Sequence, residues 1–285
     1  MIKILADSSC DVLDYFEGPD FTPFESIPLT ITVDGRDFVD TRDIDVDEFL
    51  EVMENSKEGS RSSAPSPDDF LKAFGDADEI YVVCMSSKIS GTFNVANVAK
   101  QMYEEANPGK KVQVFDTLVA TAPATLIVSK IDEFIKQGLS MEEVTKKTFD
   151  AIERVNFYFI LERFDNLVRN GRINPYIAKF ASTLSIKPIC HGVNGEISLL
   201  EKARGMKAYT KLVNLLYEKE RENVENGCSF SVVLTHVRCM DKALHVRKLI
   251  EEKFKVRDFH IAEPTALCAN YGDRGGILIG LIANI

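Results

Sequence analysis

Apolar and polar positions along the chain switch repeatedly between two periods. Short apolar runs at residues 2–6, 81–85, 112–115 and 157–161 have the length and β-branching of buried strands. Between them lie longer stretches with apolar residues at helical spacing. These are 46–56, with Phe49, Leu50 and Met53 on one face, 126–137, and 140–154, where Ser140 and Glu143 form a capping box. Ser66-Pro67-Asp68-Asp69 marks a further helix start, with Ser66 as cap and Pro67 in the first helical position. Residues 27–33 alternate as one strand, and Asp34-Gly35 turns it into a return strand at 38–40. Strands alternating with helices predict βα units and a mainly parallel sheet with flanking helices. Beyond about residue 155 the texture changes. Gly171-Arg172-Ile173-Asn174-Pro175 reads as a turn that starts a helix, 186–189 as extended chain, and Gly192-Val193-Asn194-Gly195 as a hairpin into 196–199. Helices at 206–222 and 240–253 and strands at 230–236, 258–262 and 277–282 follow. The expectation is an α/β protein of two closely packed domains, residues 1–155 and a mixed β/α domain over 156–285, with no low-complexity linker between them.

The stretch from Tyr81 to Val98 carries the most pointed chemistry. A buried strand runs into Ser86, Ser87, Ser90 and Thr92, four hydroxyls within seven residues around Gly91, and a helix opens directly after. Free N–H groups at a helix start, with small hydroxyl donors beside them, make an anion site. Ser90 or Thr92 could equally serve only as the N-cap of that helix. A second cluster, Ser60, Ser62, Ser63 and Ser66 around Pro65 and Pro67, leaves Ser62 and Ser63 without a structural task once Ser66 is used as a cap. Asp7-Ser8-Ser9-Cys10-Asp11 follows the first strand, at the end of an open sheet where ligands gather. Asp7 and Ser8 are therefore candidate site supports, while Ser9 or Asp11 can cap a helix starting near Val12.

Composition narrows the function classes. A net charge of −10 and a pI near 5.1, with Lys and Arg scattered among the acids, offer no basic stripe for nucleic acid. Six dispersed cysteines without a Cys-x-x-Cys pair suit neither a zinc site nor a secreted disulfide scaffold. No apolar run approaches a membrane span, and the first apolar hexad is too short for a signal-peptide core, so the expected compartment is the cytoplasm. Neither a Gly-x-Ser-x-Gly elbow nor a Gly-rich phosphate loop is present, which weakens the hydrolase and nucleotide-binding alternatives.

Read together, a set of landmarks resembles the DegV family of bacterial fatty-acid-binding proteins, which includes the lipid-carrying subunits of bacterial fatty acid kinase. They are Asp7-Ser8-Ser9-Cys10-Asp11, Ile27-Pro28-Leu29, Asp34-Gly35 with Asp40, Ser62-Ser63-Ala64-Pro65-Ser66, Ser86-Ser87-Lys88-Ile89-Ser90-Gly91-Thr92-Phe93, Gly171-Arg172-Ile173, Lys187-Pro188-Ile189 and Lys202-Ala203-Arg204. The resemblance spans nearly the whole chain. It implies a non-catalytic carrier with one long-chain fatty acid in an apolar tunnel between two domains, no other cofactor, and a fatty acid kinase subunit as possible partner. The carboxylate would meet Ser62, where the family commonly has Thr, and Ser90, with Ser63, Gly91 and Thr92 beside them. Hydroxyls and helix-start N–H groups would orient the acid by charge-assisted bonds, while each buried CH₂ contributes roughly 0.8 kcal/mol. Two positions depart from the family pattern: Asn270 stands where a head-group His is usual, and Ala64 where Gln is usual. Arg274 could supply the missing positive charge. Arg172, Lys202 and Arg204 could gather at the tunnel mouth to meet a phosphate or an acidic partner. Two other readings stay open, a serine hydrolase or transferase with Ser90 as nucleophile, and a binder of a different amphiphilic acid.

Overall fold

The computed structural model describes residues 1–11, 13–177 and 186–284. Its strands form three sheets. Four parallel strands are ordered β2-β1-β6-β7, comprising β1 Ile2–Asp7, β2 Phe24–Ile27, β6 Glu79–Cys84 and β7 Lys111–Asp116. A small antiparallel sheet, β4-β3-β5, is built from β3 Thr30–Val33, β4 Arg36–Val39 and β5 Ser60–Ser63. The third sheet, in the order β10-β9-β8-β13-β11-β12, holds β8 Asn156–Ile160, β9 Ile186–Val193, β10 Glu196–Arg204, β11 Ser229–His236, β12 Val256–Ala262 and β13 Ile277–Asn284. Only β11 and β12 run parallel there, so the sheet is mixed. The helices are α1 Val46–Asn55, α2 Pro67–Phe74, α3 Thr92–Ala106, α4 Ala122–Lys136, α5 Met141–Arg154, α6 Asp165–Arg169, α7 Lys207–Lys219, α8 Arg221–Glu225, α9 Met240–Glu251 and α10 Ala266–Gly272.

Side-chain alternation along the strands explains how these pieces stack. In β1 and β6, Leu5, Ile80, Val82 and Cys84 face one core with α2 and α3, while Ile4, Ala6, Tyr81 and Val83 face the other way. That second face meets α4, whose residues from Ala122 to Val128 are all buried. A helix that is apolar all round must be enclosed on all sides. Its far side lies on the six-stranded sheet, where Phe157, Phe159, Val233, Leu278 and Ile282 complete the same core. The opposite face of that sheet, with Ile277, Ile279 and Leu281, packs on α7 and α9. The result is five layers, helices and sheets in turn, with α4 in the middle.

Several local expectations were altered by backbone chemistry. Residues 27–33 do not form one strand: Pro28 has no N–H to give to a ladder, and Leu29 donates its N–H to Ser8 Oγ (3.0 Å), so the chain leaves the parallel sheet at Ile27 and enters the small sheet at Thr30. The serines at 60–63, given no element in the sequence reading, lie in strand β5, paired with β3. Instead of a helix near Val12, which lies outside the described residues, a 3-10 turn spans Asp14–Glu17, and Asp11 is engaged elsewhere. The helix expected over 206–222 breaks at Glu220, whose carboxylate is drawn inward by Asn156 Nδ2 (2.6 Å) and Asn223 Nδ2 (2.7 Å). The helix after Pro175 starts at 175–177, and the rest of that expected segment lies outside the described residues. Both serine caps stand as expected: Ser66 with Asp69 and Ser140 with Glu143 form capping boxes. At Asp34-Gly35 both φ angles are positive, +48° and +79°, as the hairpin turn requires.

Gly280 on β13 is the point where α4 crosses the six-stranded sheet. A Cβ there would lie 2.6 Å from Pro123 N and 2.8 Å from Ala122 C. Backbone atoms cannot step aside as a flexible side chain can. Gly280→Ala is therefore expected to lower stability by about 1–3 kcal/mol, read as a lower urea midpoint at unchanged slope. An unchanged midpoint would show that α4 can shift on the sheet without cost.

Candidate functional site

A cavity of about 830 Å³ of empty space, its open mouth included, lies at the C-terminal ends of β1, β6 and β7. Parallel strands leave such a crevice where their connections diverge. One stretch of wall is apolar: Phe157, Phe159 and Leu161 from β8 and just beyond it, Leu278 from β13, Ile197 from β10, and Leu118 and Val119 from the loop after β7. Hydroxyls interrupt it at Ser9, Ser62, Ser86, Ser90, Thr121 and Tyr271, and in the lining of described residues Arg172 is the one cation and Glu196 the one carboxylate. The β9–β10 hairpin covers part of the space. Its tip turns through Asn194 and Gly195 (φ +51° and +86°), and Gly195 O accepts a hydrogen bond from Ser86 Oγ at 2.7 Å. A Cβ on Gly195 would come within 2.6 Å of that same Oγ, so the close approach requires glycine.

The serine-rich loop between β6 and α3 is held from below by carboxylates. Asp7 Oδ2 accepts from Met85 N (2.7 Å), and Asp116 Oδ1 accepts from Ser87 N (3.0 Å) and Leu118 N (3.2 Å). Ser86 O then receives the N–H groups of Ile89 and Ser90. With the backbone fixed this way, Ser90 Oγ sits 2.8 Å from Thr92 Oγ1. The N-cap of α3 is Gly91, and neither Ser90 nor Thr92 takes that position. On the other side, Ser60 and Ser62 project from the same face of β5 toward α10: Ser60 Oγ donates to Asn270 Oδ1, and Ser62 Oγ lies 2.8 Å from the Tyr271 hydroxyl. Burial raises the Tyr271 phenol above its ordinary value, against the opposing pull of Ser62 and of the Arg172 charge.

Of the residues singled out in the sequence, the structure brings Ser62, Ser86, Ser90 and Arg172 to the cavity wall. Asn270 is buried behind Tyr271, bonded to Ser60 and Asn166, and its Nδ2 has no partner. Thr92 is buried beneath Ser90, Gly91 is exposed at the helix start, and Ser63 points outward with its Oγ 3.5 Å from Thr30 O. Lys202 and Arg204 are exposed on β10, opposite Pro188 and Ile186, outside the lining. Arg274 does not replace the missing charge: it pairs with Glu54 (2.9 Å) and Asp47 (3.5 Å) on α1. Asp7 and Ser8 act as supports, Asp7 through Met85 and Ser9, Ser8 through Leu29 and Asp40. Tyr271 and Thr121 escaped the sequence reading, and Ser9, read there only as a possible helix cap, lines the cavity. Tyr271 lies in an ordinary helical pattern, and nothing in its neighbours signals a partner as distant as Ser62.

A layer of buried carboxyls lies beneath this wall. Asp40 accepts from Leu267 N (2.9 Å) and Thr265 Oγ1 (3.1 Å), which fastens α10 to the small sheet. Asp11 accepts from Thr235 Oγ1 on β11, while its Oδ1 has no partner. Burial pushes Asp11 up to about 7 and Asp40 to about 6, Asp40 adding to the effect on Asp11, and burial likewise raises Asp7. The thiols of Cys10 and Cys268 are raised for the same reason. Among the described residues no group of three or more His, Cys, Asp or Glu side chains could hold a metal ion.

The family model described as "Uncharacterised protein, DegV family" matches residues 1–279. A DegV domain-containing protein of Streptococcus pneumoniae is 36% identical over 280 residues, 98% of either chain. Among solved structures, the fatty acid kinase (Fak) B3 protein of Streptococcus pneumoniae, loaded with linoleic acid, has a TM-score of 0.89 at 35% identity over 100% of both chains. A DegV family protein from Eubacterium eligens, loaded with heptadecanoic acid, gives 0.92 at 27% identity, again over 100% of both chains.

The buried acids predict a pH profile. Asp11 and Asp40 hold their protons more tightly in the folded protein than at the ordinary carboxylate value of 3.8. Between that value and about 7 the folded state binds more protons than the unfolded one, so stability falls as pH rises through this window and levels off above it. Asp11→Asn removes one of these titrations. Urea midpoints measured across the window are expected to fall less steeply in the variant and to exceed those of the parent at the alkaline end. Superimposable profiles would mean that Asp11 titrates alike in both states.

Proposed function

This chain belongs to the DegV family, and on that premise we propose that it is a non-catalytic carrier holding one long-chain fatty acid in the cavity. The observation that carries this reading is the composition of a single wall: among the described residues, an apolar lining broken by uncharged hydroxyls, with one guanidinium, Arg172, and one carboxylate, the exposed Glu196. Such a wall suits an amphiphile. At roughly 0.8 kcal/mol per buried CH₂ the tail supplies most of the affinity, and Ser62, Ser90 and Tyr271 supply short donors for a carboxylate. Arg172 adds a long-range attraction near Tyr271. Loaded relatives, one with linoleic and one with heptadecanoic acid, support the same ligand class.

Two further elements of the reading concern what lies outside the cavity. The likeness to a fatty acid kinase B3 protein supports a kinase subunit as partner, with Arg172 placed to meet a phosphorylated head group and Lys202 and Arg204 exposed to a protein surface. Cytoplasmic residence is part of the same proposal; among the described residues no helix is long and apolar enough to cross a membrane. A nucleophilic role for Ser90 is less well supported, because its hydroxyl neighbour is Thr92 and the lining of described residues includes no histidine.

Native mass spectrometry of the purified protein is expected to show a co-purifying acyl chain, and the delipidated protein to gain melting temperature on addition of oleate or palmitate. Neither result appearing would end the proposal. Ser90→Ala is expected to weaken oleate binding by about 1–3 kcal/mol, or roughly 5- to 150-fold in Kd, as a charged head group loses one hydrogen bond. Unchanged titration of that variant would place the carboxylate elsewhere on the wall.

A further inference from the structure

We infer that the outer half of the β9–β10 hairpin, residues 192–197, is the lid through which the acid enters and leaves the cavity, hinged where β9 parts from β8 and latched by the Ser86 hydroxyl. The inference rests on the fatty-acid reading of the cavity and adds the route and its control. β9 and β10 pair with each other from end to end, from Ile186 with Arg204 to Val193 with Glu196. β9 pairs with β8 only at Cys190 and His191, opposite Phe159 and Tyr158. Beyond His191 the ribbon runs on without that neighbour, and among the described residues β10 has no strand on its outer side. Two strands alone are marginally stable in water. The point of departure is marked a second time: the register of β10 slips between Leu199 and Glu201, directly across from Cys190 and Ile189, and a bulge is where a strand bends.

The two sides of that line are held very differently. Ile189 and Cys190 are fully buried, Ile189 in the core under α7 with Tyr209 and Leu212. From His191 to Leu199, only Gly195 is buried. Gly192, Gly195, Glu196 and Ile197 nevertheless line the cavity, so this loosely held ribbon is part of its wall. Among the described residues one hydrogen bond ties the ribbon to the loops after β6 and β7, Ser86 Oγ donating to Gly195 O at 2.7 Å. The other near neighbours of Gly195 are the side chains of Lys88 and Leu118, and Gly192 lies against the Phe157 ring. Swinging the ribbon outward on its hinge therefore breaks one neutral bond and uncovers the apolar stretch at Leu118 and Phe157. A route past Ser62, Arg172 and Tyr271 would instead draw the tail over the polar stretch of wall, where each CH₂ gains least. Segments with few buried contacts are those that open first while the rest of the fold stays intact.

The test uses the delipidated full chain in stopped flow, with cis-parinaric acid as fluorescent probe and excess oleate as chase. Ser86→Ala and Gly195→Ala break the same latch from its two sides, the first by removing the donor, the second by bringing a Cβ within 2.6 Å of Ser86 Oγ. Each is expected to raise the entry and release rate constants together, by about three- to tenfold, as the loss of one neutral hydrogen bond allows. Faster release without faster entry would report a lost contact with the bound acid and overturn the inference, as would rates equal to the parent's in both variants. Hydrogen exchange of the parent chain tests the hinge without any substitution. The ladder amides of residues 192–197 are expected to exchange faster than those of residues 187–190, and to slow on loading with oleate. Equal protection of the two halves overturns the inference. Failure of the parent chain to bind either acid would take the carrier reading down with it; binding with unaltered rates in both variants removes the lid alone.

Discussion

The enclosure of α4 between two sheets is the constraint on which the remaining structure depends. A helix buried on every side, from Ala122 through Val128, has no solvent face to offer, so each sheet must bring an apolar surface to it. Ile4, Ala6, Tyr81 and Val83 come from one side, and Phe159, Leu278 and Ile282 from the other. Gly280 lets the helix backbone settle directly onto β13. The spacing of the two sheets is thereby set by the thickness of one helix. Where α4 begins, at residue 122, that spacing is no longer filled by helix, and the cavity occupies the gap between the strand ends.

The cavity takes its character from the placement of charge: Asp7 and Asp40 are buried behind the wall, hydroxyls predominate on it, and among the described residues its own charged side chains are Arg172 and Glu196. Asp7, Asp40 and Asp116 spend their acceptor capacity on backbone N–H groups of Met85, Leu267, Ser87 and Leu118. Bonds from N–H groups to a buried carboxylate are stronger than neutral ones and fix loops that carry no regular structure. In each of the pairs Ser62–Tyr271 and Ser90–Thr92 one hydroxyl donates to the other, which leaves one hydroxyl hydrogen per pair for a ligand. The wall thus meets an acid chiefly with neutral donors and the Arg172 guanidinium, while its carboxylate, Glu196, is exposed at the start of β10.

Much of the architecture was legible because period and capping are local. Ser66 with Asp69, Ser140 with Glu143 and the Asp34-Gly35 turn are decided within a few residues of chain, and they folded as their chemistry dictates. The central serine-rich motif marked the right end of the sheet for the same reason. What the sequence hid are relations between distant residues. The split at Pro28-Leu29 depends on Ser8, the strand identity of residues 60–63 depends on β3, and the partnership of Ser62 with Tyr271 spans 209 positions. Asp11 looked like a cap and is instead a buried acid held by Thr235, 224 positions away. Thr121 gave no signal, because an unengaged hydroxyl can be recognised only after every neighbouring partner has been placed.

The wall of the cavity draws on the chain from Ser9 to Leu278, and the clasp from Ser86 Oγ to Gly195 O joins segments 109 residues apart. A portion of the chain shorter than this span lacks part of that wall. During synthesis, which proceeds from the N-terminus at roughly 5–20 residues per second, the serine-rich loop emerges long before the strand that seals it. A nascent chain without β13 therefore lacks part of the wall, and loading requires that strand to be in place.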